Sequence, residues 1–273
     1  GDGTTTDRNS LVKIADGIFW VGHHDPKNHL HCNPFLVVEG ERAILIDSGS
    51  RPDFTNIMMK ILQTGIHPRQ IEGLIYQHFD PDLCGSIPNF LELCQNPGLK
   101  VYSKASNNIF IRHYIEHSKH HLIQDIEEIG DIFRLGDRNL TFLKTPYAHS
   151  TGSFVTFDEK TGTLFTSDLF GSLSQTWSLY LNLSDSCYTC KNYDDCPNHR
   201  EYCPFPDLLN FHRQVMPCNK ALQFAMKKIR PLPIQRIAPQ HGSVIDKPQD
   251  IRFLIDTLSE LTDVGIDGIS SEE

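Results

Sequence analysis

Short apolar runs that end at turn-forming residues recur along the chain and predict β-strands. Residues 35–38 and 43–47 lie on either side of a Glu-Gly-Glu turn, an arrangement typical of a hairpin. The second run is largely apolar, which indicates a buried strand. The other predicted strands are residues 18–21, 73–76, 100–102, 141–143, 153–157, 163–166 and 235–238.

Between these runs, hydrophobic residues return at spacings of three and four and predict amphipathic helices. Residues 53–64 show the pattern clearly, with Phe54, Ile57, Met58 and Ile61 on one face. The other predicted helices are residues 86–95, 104–121, 205–230 and 248–263.

Strands with interleaved helices occur twice in succession, which favours an α/β (α+β) sandwich of two sheets packed face to face with helices outside. No clean linker separates the two halves, so we predict a single domain over residues 11–265. Residues 1–10 are expected to be disordered or of artificial origin, and residues 266–273 to form a C-terminal tail.

Composition and charge restrict the function. The chain has 273 residues, and 39% of them are hydrophobic, which is enough to bury a sizeable core. A net charge of −9 argues against nucleic acid as a partner, because such proteins normally carry a basic patch. No stretch approaches the roughly 20 apolar residues of a membrane helix, and no basic-then-apolar secretion signal begins the chain. Eight cysteines are too few for a small disulfide scaffold, so we expect a cytoplasmic protein with no membrane partner.

Six residues carry the strongest chemical signal, because each follows a β-like run and is flanked by small or turn-forming residues. They are His78, Asp80, Asp82, His149, Asp168 and His241. Side chains at strand ends can converge on one point although they are distant in sequence. Three imidazoles and three carboxylates that converge can hold two divalent metal ions, with one carboxylate bridging them. The sequence therefore predicts a metal site.

Several segments resemble the metallo-β-lactamase superfamily. They are residues 33–38, residues 45–49 and the segments around the six candidates, and the likeness runs over roughly residues 14–245. Hydrolytic members carry His-x-His-x-Asp-His, whereas this chain has His78-x-Asp80-x-Asp82-Leu83. A carboxylate at the middle position is similar to the flavodiiron branch, whose motif is His-x-Glu-x-Asp-His. The resemblance implies a metallo-β-lactamase-like αββα sandwich of two mixed β-sheets flanked by helices.

The resemblance also implies a role for each candidate ligand. His78, Asp80 and His149 would hold the first metal, Asp82 and His241 the second, and Asp168 would bridge them.

Leu83 is the main departure, because the flavodiiron pattern has a histidine on the second metal at that point. Leucine cannot ligate a metal, so we expect an open or water-filled position there. Mixed nitrogen and carboxylate sites with open positions suit non-haem iron, whereas zinc prefers four ligands. We therefore predict a pair of iron ions that changes between the Fe2+ and Fe3+ states.

With this departure, the chain resembles the stand-alone oxygen-binding diiron proteins of chemotaxis and signalling. The resemblance implies a sensor that binds O2, with NO as a second candidate, and that acts on an unidentified signalling partner. The chain has no Gly/Ser/Thr-rich phosphate loop, so we expect no FMN in it. Two alternatives remain open. One is an O2 or NO reductase subunit with an external electron donor, and the other is a zinc-dependent hydrolase that uses a metal-bound hydroxide.

A polar loop contains four closely spaced cysteines, Cys187, Cys190, Cys196 and Cys203. Four thiolates could hold a structural zinc ion or an iron–sulfur cluster, although the spacing fits none of the usual paired patterns. A disulfide is a second possibility and would be exceptional in a reducing cytosol. Reduced thiols without a joint role are the third, and the sequence leaves all three open.

For several residues near the candidate ligands, the sequence predicts either a supporting role or a packing role. Four histidines crowd the loop after the strand predicted at residues 18–21, namely His23, His24, His29 and His31. One of them, with His24 as the first candidate, could line the site or support a ligand. Alternation along a strand would turn Tyr147 to the same side as His149 and toward bound O2, although core packing is equally expected. We expect Cys84 to be a packed thiol near the site.

Overall fold

The computed structural model describes residues 10–24, 27, 31–174 and 176–270, and within these ranges the chain forms two β-sheets. The strands are β1 (Val12–Ala15), β2 (Ile18–Trp20), β3 (Phe35–Glu39), β4 (Arg42–Ile46), β5 (Ile71–Ile75), β6 (Lys100–Ser103), β7 (Ile123–Asp125), β8 (Ile132–Leu135), β9 (Arg138–Lys144), β10 (Phe154–Asp158), β11 (Thr163–Ser167) and β12 (Arg236–Pro239). Every strand predicted from the sequence is present. Three short strands, β1, β7 and β8, were not predicted.

Helices connect the strands and pack outside the sheets. They are α1 (Phe54–Gln63), α2 (Pro81–Cys84), α3 (Ile87–Cys94), α4 (Ala105–Ile111), α5 (Asp185–Thr189), α6 (Phe205–Val215), α7 (Asn219–Ile229) and α8 (Pro248–Ser259). Short 3-10 turns occupy Arg51–Asp53, Pro68–Gln70, Arg112–Tyr114, His117–Leu122, Ile126–Ile129 and Ile266–Gly268. Among the described residues, no helix has both the length and the apolar character needed to cross a membrane.

The two sheets are both mixed, as the resemblance implied. The seven-stranded sheet has the order β1-β2-β3-β4-β5-β6-β7, antiparallel from β1 to β4 and parallel from β4 to β7. The five-stranded sheet has the order β12-β11-β10-β9-β8, in which β11 and β12 are parallel and the remaining neighbours are antiparallel.

Side chains along the strands alternate between two hydrophobic cores, as the period of a strand requires. In β4, Ile44 and Ile46 belong to the core between the sheets, which also contains Phe165 of β11. Ala43 and Leu45 of the same strand face the opposite way, into the core under α1 and α3. The helices α6, α7 and α8 cover the outer face of the five-stranded sheet. The four layers, helix–sheet–sheet–helix, confirm the predicted αββα sandwich.

Two predicted helices are shorter than the sequence pattern suggested. The helix predicted over residues 205–230 is divided into α6 and α7 because Met216 is extended, with ψ of 142°. The residue before a proline is driven out of the helical region, and Pro217 follows Met216. The helix predicted over residues 104–121 ends at Ile111, and two 3-10 turns follow it.

We expect Phe165→Ala to lower the free energy of unfolding by about 3–5 kcal/mol, because it removes a fully buried ring between the two sheets. The ring of Phe165 lies 5.4 Å from the ring of Phe35, so an aromatic contact between the sheets is lost as well. Phe224→Ala is the matched control, because that side chain is 48% exposed, and it should cost less than about 1 kcal/mol. Urea unfolding measures both variants, and equal losses would contradict this description of the core.

Candidate metal centre

Three of the candidate residues lie just beyond β5 in the seven-stranded sheet. Gln77 and His78 follow that strand, and the short helix α2 begins between Asp80 and Asp82. Asp47, at the end of β4, holds this segment, because its carboxylate accepts the backbone N–H of Gln77 at 3.1 Å and the side-chain amide at 3.0 Å. Burial raises the pKa of Asp47 to about 6, although the bonds from Gln77 oppose the rise. A buried carboxylate thus fastens the His78 segment to the neighbouring strand end.

The other three candidates come from the five-stranded sheet. Asp168 directly follows β11, His241 lies two residues beyond β12, and His149 lies in the loop from β9 to β10. Because β11 and β12 are parallel neighbours, Asp168 and His241 emerge at the same end of the sheet. Gly242 has a φ of +84°, and a Cβ there would lie 2.9 Å from the backbone of Ser172. The turn after His241 therefore requires glycine.

Four of the six side chains form one compact group. The ligand atoms of His78, Asp80, His149 and Asp168 all lie within 4.8 Å of one another. His149 Nε2 lies 2.8 Å from Asp168 Oδ2 and 3.0 Å from Asp80 Oδ2. His78 Nε2 lies 3.3 Å from Asp80 Oδ2 and 3.6 Å from Asp168 Oδ2. These are the residues that the resemblance assigned to the first metal, together with the bridging carboxylate.

Asp168 also faces a second group. Its Oδ1 lies 3.5 Å from His241 Nε2, and that nitrogen lies 2.9 Å from Asp82 Oδ2. The sulfur of Cys32 belongs to this group, because the ligand atoms of Cys32, Asp82 and His241 lie within 4.8 Å of one another. Asp168 thus turns one carboxylate oxygen toward each group, which is the arrangement expected of a bridging ligand.

Hydrogen bonds behind two of the imidazoles fix which nitrogen faces the carboxylates. His78 Nδ1 is hydrogen-bonded to Ser167 Oγ at 2.7 Å, and His241 Nδ1 donates to the carbonyl of His31 at 2.7 Å. Each ring therefore presents Nε2 to the cluster, as metal-binding histidines commonly do. His31 Nε2 also accepts the backbone N–H of Gly242 at 3.0 Å, so His31 supports the His241 segment at two points.

Without a cation, the cluster attracts protons. Burial lowers the pKa of His149, but Asp168 and Asp80 outweigh burial and raise it to about 10. Burial also opposes the rise at His241, where Asp82 and Asp168 bring the pKa to about 9. Burial raises the pKa of Asp168, yet the imidazoles around it hold that pKa below its usual range. The carboxylates therefore need positive charge between them, which a divalent metal would supply.

Two buried atoms of the cluster, His78 Nε2 and Asp168 Oδ1, have no hydrogen-bond partner among the residues that the structure describes. An unpaired buried polar atom costs about 1–3 kcal/mol, so a partner of another kind is expected. Imidazole nitrogen and carboxylate oxygen are both ligands of divalent iron and zinc. The residues present therefore fit a site for two metal ions on either side of Asp168.

His212, on α6, supports the segment that follows Asp168. Its Nδ1 donates to the carbonyl of Leu208 at 2.7 Å, and its Nε2 accepts the backbone N–H of Phe170 at 2.9 Å. Burial lowers the pKa of His212 to about 4, so the ring is neutral, as one donor and one acceptor require. No sequence pattern distinguishes this histidine from other residues of an amphipathic helix.

The prediction that strand alternation turns Tyr147 toward the ligands is wrong. Strand β9 ends at Lys144, so the alternation of a strand does not extend to Tyr147, whose φ is +62°. The side chain is 54% exposed, and it lines a surface pocket of about 400 Å³ with Pro217 and Phe224. Core packing, the other expectation for this residue, is also wrong, because more than half of the side chain is exposed.

Among the described histidines of the loop after β2, His31 is hydrogen-bonded to the His241 segment. The His24 ring stacks on Trp177 at 5.1 Å and meets the His31 ring edge-on at 5.6 Å. His24 therefore packs against His31, whose carbonyl accepts the hydrogen bond from His241. The prediction for His29 falls outside the described residues.

Leu83 and Cys84 are packed into the core beside the site. Leu83 is fully buried, and its carbonyl accepts the hydroxyl of Ser48 at 3.0 Å. The Cys84 thiol, also fully buried, donates to the carbonyl of His78 at 3.7 Å. Among the described residues, neither contributes an atom to the two groups of ligand atoms.

Cys32 is a residue of the cluster that sequence reasoning missed. Its side chain is 3% exposed. Burial and the charge of Asp82 raise the pKa of the thiol, and hydrogen bonding from the Ser50 backbone opposes the rise. One available signal was its position directly before residues 33–38, a segment that carries the family resemblance.

The cysteine loop lies between β11 and β12 and is a separate feature. Cys187, Cys190, Cys196 and Cys203 are free thiols of intermediate exposure. None of them belongs to the two groups of ligand atoms found among the described residues.

Comparison with known proteins links the chain to one family. Residues 30–242 match the family model described as ODP family beta lactamase. The putative diflavin flavoprotein A 2 of Synechocystis sp. is 29% identical over 216 residues, which cover 78% of this chain and 33% of that protein. The chain therefore spans about a third of the length of this curated relative.

Two solved structures show the same fold. The chemotaxis sensor ODP, solved as a peroxy diiron species, has a TM-score of 0.73 and 22% identity, covering 94% of this chain and 96% of that one. The rubredoxin oxygen:oxidoreductase of Desulfovibrio gigas has a TM-score of 0.75 and 21% identity, covering 92% of this chain and 61% of that one. The sandwich is therefore of the metallo-β-lactamase-like, flavodiiron type.

We expect the buried imidazole of His212 to make the fold less stable in acid. Its pKa is about 4 in the folded protein against 6.5 for an unperturbed histidine, so the unfolded chain binds the proton more tightly. The free energy of unfolding should therefore fall below pH ~6.5, by about 2 kcal/mol between pH 7 and pH 5. Urea unfolding of His212→Gln should show a smaller acid loss than the unchanged protein. His113→Gln, at an exposed position, should keep the full loss, and identical pH dependence in both variants would contradict the assignment.

Proposed function

Because the chain belongs to the ODP family of β-lactamases, whose model matches residues 30–242, we propose that it is a non-haem diiron protein that binds O2. We propose that it acts as a cytoplasmic sensor in signalling or chemotaxis. The observation that carries the proposal is the position of Asp168, which turns one oxygen to each of two groups of ligand atoms. The likeness to the chemotaxis sensor ODP supports the same function.

The donor set favours iron at both positions. His78, Asp80 and His149 would hold the first ion, Asp82 and His241 the second, with Asp168 shared. Mixed imidazole and carboxylate ligands with an open position suit non-haem iron, which in its ferrous state supplies the electrons that O2 accepts.

The residues around the cluster control access to it. The side chains of His78, Asp168 and His241 are almost fully buried, whereas the Asp80 side chain is 34% exposed. The cluster therefore opens to solvent on the side of Asp80, and a small molecule such as O2 or NO would enter there. Leu83, with no polar side-chain atom, adds apolar surface to the core beneath.

Cys32 is proposed as a ligand of the second metal. The second group would otherwise contain one histidine and one carboxylate besides Asp168, since Leu83 replaces the histidine of the flavodiiron pattern. Two divalent ions carry four positive charges and the three carboxylates carry three negative ones, so a thiolate would make the site neutral. The N–H of Ser50 would hydrogen-bond that thiolate, which is a common support for sulfur ligands of iron.

Two other functions remain as competing proposals. The likeness to rubredoxin oxygen:oxidoreductase favours an O2 or NO reductase that takes electrons from an external donor. Sustained O2 consumption with reduced rubredoxin would support it over a sensor. A zinc-dependent hydrolase would instead contain zinc as purified and cleave a generic ester or phosphodiester, and Asp80 at the middle position of the motif counts against it.

We expect Asp168→Asn to lose bound iron, because the amide nitrogen cannot ligate and the bridge between the two groups is broken. Metal analysis of anaerobic protein should give two iron ions per chain for the unchanged protein and one or none for Asp168→Asn. Admission of air should change the visible spectrum of the unchanged protein and leave that of the variant unaltered. Asp137→Asn, at an exposed carboxylate, is the control and should behave as the unchanged protein.

Three results would contradict the diiron proposal. They are a single metal ion per chain, zinc alone in native protein, and a ferrous protein whose spectrum does not respond to air.

We expect Cys32→Ser to weaken the second iron position and to remove a thiolate-to-iron charge-transfer band from the spectrum of the ferric protein. The band is the discriminating readout, because a packed thiol that does not touch iron cannot produce it. Cys94→Ser is the matched control, since Cys94 is equally buried but lies in the core of the seven-stranded sheet. If both variants keep the spectrum and the iron content, the position opposite Leu83 is filled by water.

A further inference from the structure

The four cysteines of the loop between β11 and β12 surround one cavity. Cys187, Cys190, Cys196 and Cys203 all line it, and the rest of its wall includes the side chains of Leu183, Tyr193 and Phe205. The four residues come from a stretch that contains the short helix α5 and ends at the start of α6. All four are free thiols, so no disulfide joins any pair of them. The fold therefore gathers every cysteine of the run around a shared, largely apolar space.

The other three cysteines of the run affect the acidity of Cys203. Burial raises the pKa of Cys203, and Cys196, Cys190 and Cys187 each raise it further. This repulsion agrees with the position of all four residues around one cavity, and positive charge between them would relieve it. A metal group is the ordinary source of that charge for a set of cysteines.

The spacing of the sulfur atoms favours a group larger than one ion. Tetrahedral zinc with Zn–S bonds of about 2.3 Å brings its four sulfurs within about 4 Å of one another. Among the described residues, the groups of three or more ligand atoms within 4.8 Å are the two at Asp168, and no three of these sulfurs form another. An iron–sulfur cluster has several iron and sulfide atoms between its cysteines, so it accommodates sulfurs that are further apart.

Backbone hydrogen bonding favours the thiolate form of two of these cysteines. The N–H groups of Arg200 and Asn198 bond to the sulfur of Cys196 and lower the pKa of that thiol. The N–H of Phe205 bonds to the sulfur of Cys203. Hydrogen bonds to the sulfurs are among the features that tune iron–sulfur clusters.

We propose that Cys187, Cys190, Cys196 and Cys203 hold an iron–sulfur cluster in this cavity, separate from the site around Asp168. The apolar wall would shield the cluster from water, and the N–H groups would stabilise its cysteine thiolates. This inference does not depend on the diiron proposal, because it rests on different residues and adds sulfide, which the site at Asp168 does not require.

The test is iron and acid-labile sulfide analysis of the full chain, purified without oxygen and then incubated anaerobically with ferrous iron and sulfide. The unchanged protein should contain sulfide and show the broad visible absorption and the low-temperature EPR signal of a cluster after reduction. Cys196→Ser and Cys203→Ser should lose the sulfide and these signals while keeping the iron bound around Asp168. Cys218→Ser is the matched control, because Cys218 is also a free thiol of intermediate exposure but lines a different pocket.

Asp168→Asn separates this proposal from the diiron site. It should remove iron without removing sulfide, so failure of one proposal is distinguishable from failure of the other. Three results would overturn the cluster. They are no sulfide after anaerobic incubation, one zinc ion per chain that is lost in Cys196→Ser, and a mass four units lower in anaerobically purified protein, which indicates two disulfides.

Discussion

A buried carboxylate shared between two groups of ligand atoms is the interaction on which the site depends. Asp168 lies almost out of contact with water, with one oxygen toward His149 and His78 and the other toward His241. A charged group in such surroundings costs several kcal/mol unless it is paired and hydrogen-bonded. The pairing requires strand ends from both sheets to meet, so the packing of the two sheets and the electrostatics of the cluster stabilise one another.

The layers of the fold could be predicted from the sequence because strands and helices follow simple periodic rules. The alternation of Ile44 and Leu45 between two cores is a local property of a strand. Strand ends also mark where polar side chains can converge, which is why residues as distant as His78 and His241 were selected together. The division of α6 from α7 was predictable in principle, since Pro217 disfavours a helical conformation at Met216.

What could not be predicted lies in irregular backbone and in contacts between distant segments. Tyr147 has a positive φ in a loop, where no period applies. His31 acts through its backbone carbonyl, and His212 accepts the backbone N–H of Phe170. Cys32 meets Asp82 and His241 only because three distant segments converge. None of these contacts leaves a pattern along the chain. Positive φ angles at Asp47, Tyr147, Ser167 and Phe170 place strained residues beside the ligands. Strain of about 1–3 kcal/mol at each such position persists only where surrounding structure enforces it, as at functional sites.

Helix α6 runs from the cysteine cavity to the ligands of the metal centre. It begins two residues after Cys203, and near its other end His212 binds the N–H of Phe170 while the Phe211 ring lies 6.0 Å from that of His241. Residues 205–212 span about 10 Å at the rise of an α-helix. One helix therefore contacts both the cysteine cavity and the segment that follows Asp168. If the cavity holds a cluster and the metal centre binds O2, as we propose, any coupling between the two sites through this helix would act equally in both directions.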